Sequence, residues 1–320
     1  MEIKKMTEAA MFSALFVVIS VLAIGTGFGY AGYLDIGVPV IIVLIYLRCG
    51  LKYTLLSGVT SLLLVVITLG DMPSAICMSQ GMILGISCGI LISRNQTIFD
   101  DLFYGSIFAC FVMIIVDINF STLIGYSFIK ECKEYLVYVP FLSEYGKKNL
   151  YYFLIASLPI GTMFITYFLS IILANRFKLL NDLSKKKYII ITKFNKYGTY
   201  ISCSKRTINI GIIYIILTIL VGMNEYLISQ IYIDILLNSV KYVVLYFVIQ
   251  DSYTMLNKFM YLLIKSKIVS LFVQVGSLYM LINFFKLTSI SIVVFNVVID
   301  KILNFRDRQS ATLERYLLDL

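Results

Sequence analysis

The chain has 320 residues, of which 60% are apolar and 14% are charged, with a mean hydropathy of +0.90 and a net charge of +9. Soluble domains are about half apolar and a quarter charged, so this composition excludes a soluble globular protein and predicts an all-α, multi-pass transmembrane helical bundle. Histidine is absent, which excludes imidazole metal ligands and Ser-His-Asp chemistry. The six cysteines lack metal-ligand spacing. We therefore expect no metal, no cofactor and no enzymatic activity.

The first part of the chain is predicted to contain six apolar segments. They cover residues 9–29, 36–47, 53–69, 74–93, 102–129 and 150–174. The second segment is short and contains Pro39, which predicts a tilted or partly re-entrant helix. All four prolines and fifteen of the nineteen glycines precede residue 176. Irregular backbone, and with it any small-molecule site, is therefore expected in this part.

Residues 176–206 carry nine Lys/Arg against one Asp. They predict a basic cytoplasmic loop between a first membrane domain, 1–175, and a second one, 207–320. The second domain contains apolar segments at 208–223, 226–249, 268–285 and 287–299, which gives an even total of about eight to ten helices.

Most of the 27 Lys/Arg fall on one side if the spans alternate from a cytoplasmic N-terminus. This bias predicts a cell-membrane protein with both termini in the cytoplasm. The basic loop is better explained by attraction to anionic lipid, or to an acidic partner, than by nucleic-acid binding.

Two segments carry small residues at a spacing of four. They are Ala10-x-x-x-Ala14 and the ladder Gly81, Gly85 and Gly89. Residues four apart share a helix face, and small side chains allow a second helix to approach closely. Two interpretations stay open: packing within the protein, or docking of a separate membrane subunit.

A group of aromatic and polar residues is predicted near the outer ends of the helices. Its members are Tyr30, Tyr33, Asp35, Asp71 and Asn119. Aromatic rings and carboxylates in an outward pocket would stack on and orient a small ligand. The alternative is that these residues are polar loop tips that cap helices.

Asp117 is the most informative single residue, because it lies inside the fifth apolar segment. A carboxylate at that depth is costly unless it is protonated, paired or exposed to water. Three roles are open: a structural pair, for example with Lys241 across the bundle, contact with a substrate, or ion coupling.

The order of features over residues 1–176 resembles the substrate-binding S components of energy-coupling factor (ECF) transporters. Shared features are the lysine-bearing start, the first helix with Ala10-x-x-x-Ala14, the Gly/Pro-marked pairing of segments two to four, and six spans. The resemblance implies that Ala10 and Ala14 dock on a partner transmembrane subunit whose separate ATPases supply energy. It also implies an outward pocket, roofed by loops, for a vitamin or metal, with these candidate residues: Tyr33, Asp35 and Asp71.

S components usually end after six helices, whereas this chain continues. It is more closely similar to the YybS-like family of bacterial membrane proteins, which look like an S-component core with extra helices. Those chains end in a helix bearing Asp, followed by a Phe-Arg pair. Here the corresponding residues are Asp300, Phe305 and Arg306. This resemblance implies a fold rather than an activity.

The sequence therefore predicts a non-enzymatic membrane subunit that binds a small solute, in a transport system energised by other chains. Its expected partners are the lipid bilayer, a membrane coupling subunit with ATPases, and the solute. Two alternatives stay open: a scaffold or assembly factor without a ligand, and a self-contained ion-coupled transporter that uses Asp117.

Overall fold

The computed structural model describes residues 2–27, 32–140, 143–222, 231–264, 272, 274–277, 279–280 and 284–318. Across these residues the secondary structure is helical, without strands. Six of the described helices are long and apolar enough to cross a membrane, and a bent pair near the C-terminus makes a seventh if it counts as one span. The protein is thus an all-α polytopic membrane protein, as the composition predicts.

The described residues of the first part form seven α-helices, and each predicted apolar segment overlaps one of the six longer ones. Their bounds are α1 Glu2–Thr26, α2 Val38–Cys49, α3 Leu51–Leu69, α4 Met72–Ser93, α5 Ile98–Ile124, α6 Phe128–Tyr135 and α7 Glu144–Arg176. The predicted segment 102–129 runs past the end of its helix at Ile124. A π-helical turn, Tyr33–Gly37, leads into α2, and a 3₁₀ turn, Leu136–Tyr138, follows α6.

Local capping explains where several helices begin and end. Helices α3 and α5 both stop at a left-handed glycine, Gly70 with φ 66° and Gly125 with φ 76°. Such a backbone conformation suits glycine because it lacks a Cβ atom. Helix α5 begins where the Thr97 side chain accepts a hydrogen bond from the Asp100 amide at 3.1 Å.

Helix α2 is short and lies inside the bundle. Its 12 residues are mostly buried, and it packs against α1, α3, α4 and α7. The glycine ladder of α4 faces it: a Cβ atom on Gly85 would lie 2.5 Å from the Pro39 carbonyl oxygen, and one on Gly89 would lie 2.6 Å from the Tyr46 ring. Glycine is required here for close helix packing.

This packing corrects one predicted role of the glycines. Gly81, Gly85 and Gly89 were candidates for docking a separate subunit, but α2 of the same chain covers all three. Helix α2 therefore occupies their surface, which favours packing within the protein over docking of a separate subunit.

The basic stretch is folded rather than an open loop. It contains α8 Asp182–Thr192, α9 Phe194–Tyr197 and a 3₁₀ turn, Gly198–Tyr200. Asn181 caps α8 by accepting a hydrogen bond from the Ser184 amide at 2.8 Å. Ser184, Lys187 and Ile190 are buried at a spacing of three residues, so one face of α8 packs on α4 and α7.

Among the described residues, the second part contains α10 Lys205–Gly222, α11 Ile231–Ile264, α12 Phe285–Leu303 and α13 Phe305–Leu318, and residues 274–277 are helical as well. Helix α12 ends at Leu303, the next residue, Asn304, has a φ of 47°, and the chain bends by 71° into α13. Half of the predicted segment 268–285 lies outside the described residues, as do residue 223 at the end of segment 208–223 and residues 226–230 at the start of segment 226–249. The predicted total of eight to ten spans therefore stays a prediction.

The two parts share one hydrophobic core. Helix α11 packs against both α5 and α7 of the first part. Its Phe247 ring lies 5.7 Å from the Phe103 ring of α5 and 6.1 Å from the Phe164 ring of α7, between ring centroids. The basic stretch therefore connects helices that are packed together.

The helices alternate in direction, which sorts their connections to two ends of the bundle. The turns at Arg48 and Arg94 and the stretch after Arg176 lie at one end, and Glu8 near the start of α1 binds Arg48 there at 2.7 Å. We call this end the basic end. The turn at Asp71 lies at the opposite end.

Candidate functional site

Three of the predicted ligand-binding residues come together at the opposite end. Tyr33 shares a hydrogen bond of 2.6 Å with Ser20 of α1. Burial raises the pKa of the Tyr33 phenol to about 12. The turn that carries Tyr33 and Asp35 packs against α4, and Asp71 lies directly before that helix. We refer to Tyr33, Asp35 and Asp71 as the opposite-end cluster.

The two carboxylates of this cluster differ in their surroundings. Asp71 accepts a hydrogen bond from the Ser74 hydroxyl and occupies the N-cap position of α4. Desolvation raises the pKa of Asp35, although the residue keeps part of its surface exposed. Asp71 therefore has a hydrogen-bond partner in the first turn of α4, whereas Asp35 is the more exposed of the two carboxylates.

The remaining predicted members do not join this cluster. Asn119 is exposed, and its amide donates a 2.7 Å hydrogen bond to the Ile115 carbonyl in its own helix. Tyr30 lies outside the described residues.

Asp117 is held by the helix that follows its own. After Gly125 the chain turns back, so that Ser127 donates a 2.7 Å hydrogen bond and the Phe128 amide a 2.9 Å hydrogen bond to the two Asp117 carboxylate oxygens. Asp117 thus caps the start of α6 while it is buried. The described ion pairs include none between Asp117 and Lys241. This corrects the predicted pair across the bundle and favours a structural role.

Helix α1 lies at the edge of the bundle and exposes the predicted docking residues. Its inner face joins α3 through Ser13 and Ser61, whose hydroxyls are 2.7 Å apart. Ala10 and Ala14 are exposed on α1. The alanine stripe thus differs from the glycine ladder of α4, which the protein itself covers.

A buried ion pair at the basic end has no counterpart among the sequence predictions. Lys187 of α8 donates a 2.6 Å hydrogen bond to Asp101 of α5, and both side chains are buried. Tyr167 of α7 donates to the same carboxylate oxygen at 2.6 Å. Burial lowers the pKa of Lys187, and the Asp101 carboxylate opposes that shift by favouring the ammonium form.

Lys187 also closes the end of α4. Its ammonium group donates to the Leu91 carbonyl at 2.9 Å and to the Ile92 carbonyl at 3.2 Å. The Ser184 hydroxyl donates to the Ile92 carbonyl as well, at 3.0 Å. These carbonyls lie in the last turn of α4, where acceptors lack partners within the helix. The one sequence signal for this role is the spacing of Ser184, Lys187 and Ile190.

A second buried ion pair joins the C-terminal helices. Arg306 of α13 donates to Asp251 of α11 at 2.5 Å and to Asn296 of α12 at 3.1 Å. The other Asp251 oxygen accepts a 2.7 Å hydrogen bond from the Cys203 amide. The Arg306 amide binds Asp300 at 3.1 Å. Asp300 and Arg306, which belong to the pattern described in the sequence, thus form hydrogen bonds that connect helices.

A cleft of about 870 Å³ opens at the basic end between α4, α5 and α10. Two groups of residues line it, one polar and one apolar. The polar group comprises Arg94, Asn95, Gln96, Thr97, Asp100 and Arg206, and the apolar group includes Ile90, Phe108 and Ile210. In the described part of the chain, no group of three or more His, Cys, Asp or Glu side chains is arranged to hold a metal ion. The lining of the cleft thus combines two arginines with an apolar wall.

No protein-family model, curated protein or solved structure matches this chain. Composition, helix lengths and packing define its class: it is an all-α, multi-pass integral membrane protein.

Proposed function

We propose that the protein is a non-catalytic, membrane-embedded binding subunit of a transport system in the cell membrane. In this proposal the opposite-end cluster faces outward and captures a small solute. The basic end and both termini face the cytoplasm, in accord with the positive-inside bias. A separate membrane subunit docks on α1, and its ATPases supply the energy for transport.

The observation that carries this proposal is the edge position of α1 with Ala10 and Ala14 exposed. Small residues in membrane helices favour close approach of a second helix, because their side chains leave the backbone accessible. Helix α2 of the same chain covers the glycine ladder of α4, whereas Ala10 and Ala14 of α1 are exposed. A partner helix from another chain fits that face.

The opposite-end cluster supports the capture of a small solute. A neutral phenol and two carboxylates offer hydrogen-bond donors and acceptors together with negative charge, which suits a cationic or polar solute. Asp35 is the member with the least structural engagement, so it is assigned the direct contact with the solute.

Affinity purification of the full-length protein from its native membrane, followed by mass spectrometry of proteins and small molecules, tests the proposal. Ala14→Phe fills the stripe and is expected to reduce recovery of a coupling subunit and its ATPases by about tenfold or more, which corresponds to 1.4 kcal/mol. Ile213→Phe, at an exposed position on α10, is the matched control. Equal recovery with both variants would contradict docking on α1.

A scaffold without a ligand is the second candidate. The engagement of Tyr33 by Ser20 and of Asp71 by Ser74 favours it, since both groups already have structural roles. Recovery of lipid alone in the same purification would favour the scaffold. The ion-coupled transporter has less support, because both oxygens of Asp117 are occupied in capping α6.

A further inference from the structure

We propose that the cleft at the basic end binds the phosphate headgroup of an anionic phospholipid from the adjacent leaflet. The juxtaposition that carries this proposal is a pair of arginines at the polar mouth of the cleft and an apolar wall that continues into the membrane-spanning helices. The proposal does not depend on the proposed transport function.

The polar mouth offers positive charge that the protein itself does not neutralise. Arg94 follows directly after α4, and Arg206 lies in the first turn of α10. Both residues are exposed, and neither guanidinium group has an ion-pair partner among the described residues. A guanidinium group binds a phosphate through two parallel N–H donors. Asn95 and Gln96, exposed in the same turn, add neutral donors.

The carboxylate in the cleft does not cancel this charge. Asp100 is buried, and its Oδ1 atom accepts a 2.9 Å hydrogen bond from the Ser204 amide. That bond holds the start of α10 against α5, two residues before Arg206. Asp100 therefore positions one wall of the cleft, while two guanidinium groups face one buried carboxylate.

The apolar wall distinguishes a lipid from a soluble phosphate compound. Phe108 lies about 12 Å further along α5 than Asp100, at 1.5 Å per residue. Phe108 and Ile210 are 40% and 42% exposed, so this wall opens sideways toward the bilayer. A phospholipid whose phosphate lies at Arg94 and Arg206 has its acyl chains in contact with this wall. A soluble phosphate has no acyl chains to contact this wall.

The test uses full-length protein that has been delipidated in detergent. A short-chain phosphatidylglycerol, or phosphatidylcholine for comparison, is titrated, and bound lipid is counted by native mass spectrometry. We expect phosphatidylglycerol to bind more tightly than phosphatidylcholine. The double variant Arg94→Gln/Arg206→Gln is expected to lose about tenfold or more in affinity, because it removes two charge-assisted contacts. Arg308→Gln removes one exposed charge from the same end outside the cleft and is expected to bind normally.

Two further measurements separate a lipid from a soluble phosphate compound. Inorganic phosphate and glycerol phosphate at millimolar concentration are expected not to displace the lipid. Ile210→Gln, which places an amide on the acyl path, is expected to weaken lipid binding several-fold. Displacement by inorganic phosphate, with no effect of Ile210→Gln, would overturn the lipid assignment. Unchanged lipid binding by the double arginine variant, or an equal loss in Arg308→Gln, would overturn the site itself.

Discussion

Replacing Lys187 by methionine removes the ammonium group from the buried pair at the basic end. Methionine retains an unbranched chain but leaves the Asp101 carboxylate without a charge partner at 2.6 Å. Loss of one member of a buried ion pair generally costs about 3–5 kcal/mol of stability, since the other charge stays desolvated. The Leu91 and Ile92 carbonyls lose a donor as well. We therefore expect a loss toward the upper end of that range.

The assay is chemical unfolding of the full-length protein in detergent micelles, compared with Lys185→Met. Lys185 lies on the same helix, and its ion pair with Asp182 at 3.3 Å is exposed to solvent. Exposed pairs contribute about 0–1 kcal/mol, so this control is expected to unfold almost as the unmodified protein does.

A double variant tests whether the cost comes from the stranded carboxylate. Adding Asp101→Asn to Lys187→Met removes the uncompensated charge and is expected to restore part of the lost stability. The two substitutions are thus expected to be non-additive, as for groups in direct contact. The reasoning is refuted if Lys187→Met unfolds no more easily than Lys185→Met.

Three further predictions concern Asp117, Gly85 and Asp35. Asp117→Ala is expected to destabilise the protein by about 1–3 kcal/mol and Asp117→Asn by less, since the amide oxygen still accepts one of the two hydrogen bonds; equal losses in thermal unfolding would contradict a capping role. Gly85→Ala is expected to cost about 1–3 kcal/mol against the Pro39 carbonyl, whereas Gly161→Ala, with open space at its Cβ position, is expected to be neutral or stabilising. Asp35→Asn is expected to stabilise the protein at neutral pH. Because the folded state raises the pKa of Asp35, the unmodified protein loses stability as the pH rises through that pKa, and the difference between the two proteins is expected to vanish in acid.

The sequence by itself predicts several features of the fold. Long apolar runs identify the spanning helices, because each must satisfy its own backbone hydrogen bonds in hydrocarbon. The interruption at Pro39 marks the short helix α2, and the glycine at position 70 marks the end of α3. These are local properties, and a single stretch of chain suffices to specify them.

The candidate site was predicted only in part, for a physical reason. Tyr33, Asp35 and Asp71 lie at one end of the bundle, because alternation of spans brings helix ends together, and their role in binding a ligand stays a prediction. The sequence did not reveal that Asp71 caps its own helix or that Asp117 caps the next. The residues around Asp71 and Asp117 in the sequence do not reveal which hydrogen-bond donor contacts each carboxylate, because the fold determines it.

What the sequence determined alone is the class: an all-α multi-pass membrane protein with its basic residues concentrated in one stretch and in a few turns. Only the tertiary structure decided which lysine of that stretch is buried. Lys187 and Asp101 are 86 residues apart in the chain, yet their charged groups are 2.6 Å apart. Hydropathy and charge are summed along the chain, whereas the partner of a buried charge depends on how distant helices pack. The same reason explains why one small-residue ladder is covered and the other lies open.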